Sequence, residues 1–292
     1  MIEKSTVFRA RATLIGLTLI WGSTFVAIQS ALAYVSPFVL ISIRFALTGA
    51  ALALIYPRAA REAFRILAQT WPLAIAQFLG FGLQTIGMKT TTPGHSAFIT
   101  SLFVVVVPVL EAVQRRAWPK KRLLFAVGLA ACGIVTLFLP FNGRWTQGDT
   151  LTLVSAVSFA YYIVELSRLT QTIKAIELVI AQSISIACMA VPSAFLFETP
   201  KLILSIEFFE IVGYLTVICT MVTFIFMTRA QRFVSATEAS IIYTLEPVIA
   251  AALSIGLGRE AFSVQFLVGS VIVLISTLIA ALTPAPVHTL AP

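Results

Sequence analysis

The sequence predicts an all-α membrane protein whose ten transmembrane helices form two inverted five-helix repeats. Three observations predict it. First, 59% of the 292 residues are apolar and only 11% are charged, whereas a soluble domain holds about 45–50% apolar and about 25% charged residues. A sphere of this size cannot hide that much hydrocarbon from water, so the excess faces lipid. Second, the chain divides into ten apolar runs, each near the roughly 20 residues that one crossing needs. Third, basic residues alternate from loop to loop as the positive-inside rule requires. A soluble enzyme, a disulfide scaffold and a disordered chain are excluded by composition alone.

The runs cover residues 13–34, 37–56, 71–88, 93–112, 123–139, 149–166, 176–197, 208–227, 235–257 and 262–282. Pro37 and Pro93 stand at helix starts, where a missing N–H costs nothing. Pro108, Pro192 and Pro247 fall inside runs and predict kinks. The first run follows Lys4, Arg9 and Arg11 and ends near Ala31-Leu32-Ala33, a sequence like a signal-peptidase site. Its apolar stretch exceeds the 7–15 residues of a usual signal core, so an uncleaved first helix is expected. Cys132, Cys188 and Cys219 lie in apolar runs without a CxxC pair and read as small buried hydrophobes.

With the N-terminus in the cytoplasm, fifteen basic residues fall in inside segments: Lys4, Arg9, Arg11, Arg58, Arg61, Arg65, Arg115, Arg116, Lys120, Lys121, Arg122, Arg168, Lys174, Arg229 and Arg232. Only Lys89, Arg144, Lys201 and Arg259 fall outside. Both termini are then cytoplasmic, with Asn142 and Lys174 on opposite sides. The net charge of +8 is a topology signal and an attraction to anionic lipid; no nucleic-acid partner is implied.

A shift of 139 residues places Met88 on Met227, Ser101 on Ser240 and Pro108 on Pro247, and two more residues bring Gly128 onto Gly269. The halves are 1–140 and 141–292. Five crossings per half force the second to run in the opposite sense, the inverted repeat of many secondary transporters, with substrate near the midplane. The stripe Gln77, Phe81, Gln84, Met88 follows helical spacing. Its shifted counterpart is Thr216, Thr220, Thr223, Met227. These are expected either to wall a central cavity or to bond helix to helix.

Trp21-Gly22-Ser23-Thr24-Phe25, Arg44, and residues 91–108 followed by Gly128 and Gly133 resemble the EamA-type branch of the drug/metabolite transporter superfamily. Residues 235–247 with Gly258-Arg259-Glu260 and Gly269 resemble the same domain again. Trp118 stands where that family often has Gly-Glu. The resemblance implies ten helices, a bacterial inner-membrane location and export of small metabolites.

Two charges, Arg44 and Glu246, lie near the middle of runs. Glu246, beside Pro247, is expected to hold a substrate ammonium, to carry a coupled proton, or to pair with Arg44, because an ionised acid at that depth needs a partner or water. Arg44 is expected to grip a substrate carboxylate or to tether helices. His95 reads as a helix-start residue, and Glu238 as a solvated acid at a helix N-terminus. The candidate substrate-binding residues are Trp21, Arg44, Gln77, Phe78, Phe81, Gln84, Thr220, Thr223, Tyr243 and Glu246. Cation, acid, amides and aromatic rings together suit a zwitterion with an apolar side chain. Export of aromatic and other neutral amino acids by alternating access is the leading expectation, with cationic drugs, quaternary ammonium compounds or another small metabolite as the alternative. No GxxxxGK[ST] loop is present, so a gradient drives transport, and no cofactor or metal is called for. With Asp149, His95 and His288 dispersed, enzyme chemistry lacks paired groups. The expected partners are the small-molecule substrate and membrane lipid, around a monomer-sized unit with a dimer left open.

Overall fold

The computed structural model describes residues 4–137, 145–257 and 261–283, and within them it is helical without a named strand. Arg144, Asn142, Gly258, Arg259, Glu260, His288 and the end of the run 123–139 lie outside the described residues. Helix α1 (Lys4–Ala31) starts well before the apolar run, because Arg9 and Arg11 continue its helix beyond the hydrocarbon. Helix α2 (Pro37–Ile55) opens on Pro37 as expected.

Helix α3 (Pro57–Arg65), which the apolar pattern does not reveal, turns 89° into α4 (Leu67–Gly87). It exposes Arg58, Arg61 and Arg65 while burying Ala60 and Ala63. The run 93–112 is two segments, α5 (Pro93–Ser101) and α6 (Phe103–Arg115), and α7 (Lys121–Leu137) follows. Next come α8 (Gln147–Leu169) and α9 (Ala175–Leu196), then α10 (Ile206–Thr216), which passes through a π-helical stretch, Val217–Val222, into α11 (Thr223–Gln231). The run 235–257 divides into α12 (Ala236–Tyr243) and α13 (Leu245–Gly256), and α14 (Val264–Ala281) completes the bundle.

The breaks at Leu102 and Thr244 precede Pro108 and Pro247. In the second, Tyr243 supplies the carbonyl that the Pro247 ring displaces, four residues upstream. By contrast α9 runs unbroken through Pro192, which lies so near its end that barely one turn follows.

Eight stretches are long and apolar enough to cross a membrane: α1, α2, α5–α6, α8, α9, α10–α11, α12–α13 and α14. The bent pair α3–α4 passes the same test jointly, giving nine, and α7 has 17 residues. The chain is a multi-pass membrane protein. Large apolar side chains such as Leu54, Phe125, Phe195 and Leu278 point outward, the inverse of a soluble surface. Cys132 and Cys188 join that surface, and only Cys219 is buried, correcting the expectation that all three are internal.

At one end the loop after α1 pairs with the loop after α9. Val35 and Leu202 form an antiparallel bridge, the Ser36 amide donates to the Lys201 carbonyl at 3.1 Å, and the Ile203 amide donates to the Tyr34 carbonyl at 2.8 Å. Nearby, α4 and α8 approach so closely that a Cβ on Gly148 would strike the Gly87 carbonyl oxygen, and one on Gly87 would lie 2.7 Å from the Gly148 oxygen. Asp149, fully buried, fixes this corner. Its carboxylate accepts from Thr91 Oγ1 at 2.5 Å and from the amide and hydroxyl of Thr146 at 2.8 and 2.9 Å. Thr146 in turn caps α8 by accepting from the Asp149 amide at 3.1 Å, a reciprocal capping box. Asp149→Ala removes the acceptor and leaves Thr91 buried without one. A loss of about 2–3 kcal/mol is expected from that combination, read as a lowered unfolding midpoint in detergent; an unchanged midpoint would refute the role.

Candidate functional site

The elements line a narrow cavity of about 80 Å³ at mid-bundle, smaller than the roughly 300–1,000 Å³ of open small-molecule sites. Helix α1 contributes Trp21, Thr24 and Phe25, which share one face by their i, i+3, i+4 spacing. Gly22 lets that face reach its neighbour: a Cβ there would lie 2.5 Å from the Ile249 side chain and 3.1 Å from the Glu246 carbonyl. The motif around Trp21 thus combines a cavity wall with a close helix contact. Helix α4 adds Gln77, Phe81 and Gln84, and the α12–α13 break adds Tyr243 and Glu246.

The walls are mainly aromatic. Trp21 meets Tyr243 edge-on at 5.4 Å, and Phe81 meets Phe159 edge-on at 5.2 Å and Phe224 at 6.2 Å. Polar groups on the walls are mostly held by neighbours. Trp21 Nε1 donates to Thr223 Oγ1 at 3.1 Å, Gln84 Nε2 to Thr100 Oγ1 at 2.8 Å, and Tyr243 OH to Gln231 Oε1 at 3.1 Å. Glu246 differs. Its half-buried carboxylate faces the cavity with no hydrogen bond or ion pair to any described residue. A single unneutralised acid among ring faces has the chemistry of an ammonium site.

Of the ten candidate residues, Trp21, Gln77, Phe81, Gln84, Tyr243 and Glu246 line this cavity. Phe78 instead stacks on Phe38 at 5.8 Å. Arg44 is buried behind the wall, and the pairing of Glu246 with Arg44 is not formed; Arg44 lies against Thr220 and the Phe81 ring. Thr220 and Thr223 stand behind the wall and take the second of their two expected roles, accepting across helices from Arg44 and Trp21, while Met227 of the same stripe lines the cavity beside Phe224. The reason is the π-helical stretch. Its i→i+5 bonds wind the chain less per residue, so the threonines before and within it fall out of phase with Met227 beyond it. Thr220 marks the change by donating back five residues, to the Leu215 carbonyl at 2.7 Å.

Three features escape sequence reading. Thr100, Phe103 and Phe159 reach the cavity from helices whose facing is set by tertiary packing. Glu238, expected in solvent, is 1% exposed and pairs with Arg11 at 2.5 Å, while Arg11 also donates to the Thr283 carbonyl at 2.5 Å. Glu111 binds Arg115 at 3.1 Å and accepts from the Thr237 amide and hydroxyl at 2.8 and 2.5 Å. These bonds tie α1, α6, α12 and the residues after α14 together at the end of the bundle opposite the Val35–Leu202 bridge. Glu238 had a signal in its position at a helix N-terminus; Glu111, in the last turns of α6, had none, and neither acid's partners did. No group of three metal-binding side chains occurs among the described residues.

Comparison with known proteins agrees with this architecture. The profile of the EamA-like transporter family matches residues 10–139 and again 146–282. An uncharacterized transporter of Archaeoglobus fulgidus is 29% identical over 274 residues, spanning 91% of this chain and 83% of its own. A solved structure described only as a crystal structure of protein superposes with a TM-score of 0.75 at 17% identity, covering 95% of this chain and 97% of its own. That likeness is one of fold.

Proposed function

The chain belongs to the EamA-like transporter family, and from that premise we propose that it is a secondary transporter exporting amino acids, aromatic and other neutral ones, by alternating access. The observation that carries the reading is the partnerless Glu246 carboxylate in an aromatic cavity. A substrate ammonium neutralises the acid, and an apolar or aromatic side chain fills the space between Trp21, Phe81 and Tyr243.

In this reading the eight spanning stretches are joined by α4 and α7 to make ten crossings. The two five-helix halves, 1–140 and 141–292, lie inverted about the cavity in a bacterial inner membrane, with both termini cytoplasmic. The twofold family match and the segregation of basic residues support it. The Arg11–Glu238 and Glu111–Thr237 contacts then belong to the cytoplasmic closure, and the Val35–Leu202 bridge to the outer side.

The test is counterflow in liposomes containing the purified protein. Labelled phenylalanine, tryptophan, methionine or threonine is expected to accumulate saturably against an excess of the same unlabelled compound; no saturable uptake of any of them refutes the proposal. A second reading, export of organic cations, is favoured by one observation: Glu246 lines the cavity whereas Arg44 does not. Counterflow of a quaternary ammonium compound with none of the amino acids would select it.

A further inference from the structure

Arg44 presents a problem of charge that the cavity carboxylate does not solve. Its side chain is 1% exposed. Nε and Nη2 both donate to one oxygen, Thr220 Oγ1, at 3.2 and 2.9 Å, and Nη1 has no hydrogen-bond partner. Arg44 takes part in none of the ion pairs formed among the described residues. A guanidinium removed from water without a counter-charge is strongly unfavourable, and the single hydroxyl of Thr220 with a neighbouring ring cannot stand in for one.

The surroundings repeat the pattern. Thr48, one helical turn beyond Arg44 on α2, and Thr216, one turn before Thr220 on α10, are each buried with a hydroxyl that bonds to nothing. Every orphaned group in this set is able to donate a hydrogen bond, and one is permanently positive. Unmet donors around a buried cation define the complement of a small anion. Phe81 connects this place to the cavity. Its ring forms part of the cavity wall and lies 5.4 Å from the Arg44 guanidinium carbon.

We propose that Arg44, with Thr220 and the unmet hydroxyls of Thr48 and Thr216, is a binding subsite for a small monovalent anion, reached from the cavity when Phe81 turns aside. A carboxylate brought by the substrate and a free inorganic anion share this chemistry. The inference rests on the transport reading only where the anion is the substrate's own carboxylate; the subsite itself does not.

Two measurements on the detergent-purified protein, at constant ionic strength and pH, test it. One is calorimetric binding of phenylalanine against phenethylamine, which lacks the carboxylate. The other is the unfolding midpoint in acetate or chloride against a bulky sulfonate. The expected result is that phenylalanine binds at least tenfold more tightly than phenethylamine and that acetate raises the midpoint saturably. Arg44→Gln should weaken phenylalanine to the level of phenethylamine, leave phenethylamine unchanged and abolish the acetate shift. Thr216→Val breaks no protein hydrogen bond, and it should reduce both effects severalfold even if the arginine variant does not fold. Equal binding of the two ligands, with an Arg44-dependent chloride shift, assigns the subsite to a free anion. Anion shifts without binding of either ligand uphold the subsite while removing the amino-acid reading. Equal binding with no anion-specific shift in the unaltered protein overturns the proposal.

Discussion

Glu246→Gln is expected to lower transport by about 30- to 5000-fold while leaving the unfolding midpoint unchanged. The carboxylate is half-buried, faces the cavity and bonds to no described residue. Its removal therefore breaks no contact that holds the protein together. Losing one member of a desolvated charge pair with a ligand costs about 2–5 kcal/mol, which sets the range in rate. The amide keeps the shape of the side chain, so packing against Tyr243 and Pro247 persists. Liposome uptake and thermal unfolding should accordingly separate. Undiminished uptake would show that no cationic group is held there, and a collapsed midpoint would make the acid structural.

Gly148→Val is expected to act in the opposite way, destabilising the fold and not touching the chemistry of the cavity. The glycine on α8 faces the Gly87 carbonyl and Thr90 Oγ1 on the α4 side. A backbone oxygen cannot swing aside as a side chain can, so the helices must part. Overpacking of this kind costs about 1–3 kcal/mol. Separation also stretches the neighbouring Thr91–Asp149 bond, a charge-assisted contact worth about 1.5–3 kcal/mol. Together the two predict a midpoint lower by roughly 10 °C, on the scaling for large domains, and a reduced folded yield by size-exclusion chromatography. A variant with normal yield and midpoint would show that α4 and α8 are farther apart than described.

Much of this was legible in the sequence because lipid imposes a strong local rule. The apolar runs map onto helices, and the proline starts at Pro37 and Pro93 stand where they were read. The motif at Trp21 was visible as a pattern, and the structure gives each residue a task. What stayed hidden depends on contacts between distant segments. Arg11 and Glu238 are 227 positions apart, and no spacing rule joins them. Helix α3 is too short and too charged to register as an apolar run, though its arginines were counted. The threonine stripe left two roles open, and Thr220 and Thr223 take the packing one. A stripe at constant helical pitch does not reveal this, because the bonds through Val217–Val222 follow another pitch. Arg44 was legible as a charge in an apolar run, but its concealment by Phe81 was not.

The sharp turn from α3 into α4 also has a mechanical meaning. Of three exposed guanidiniums on α3, set at a right angle to the crossing that follows, Arg65 pairs with Glu62 at 2.6 Å; Arg58 and Arg61 have no such pair among the described residues, and each basic group near an anionic headgroup layer contributes about 1 kcal/mol. On the proposed transport reading, helix α3 would act as a float at the waterline, holding α2 and α4 at constant height while other helices tilt. The lipid headgroups become the fixed frame against which the moving parts do their work.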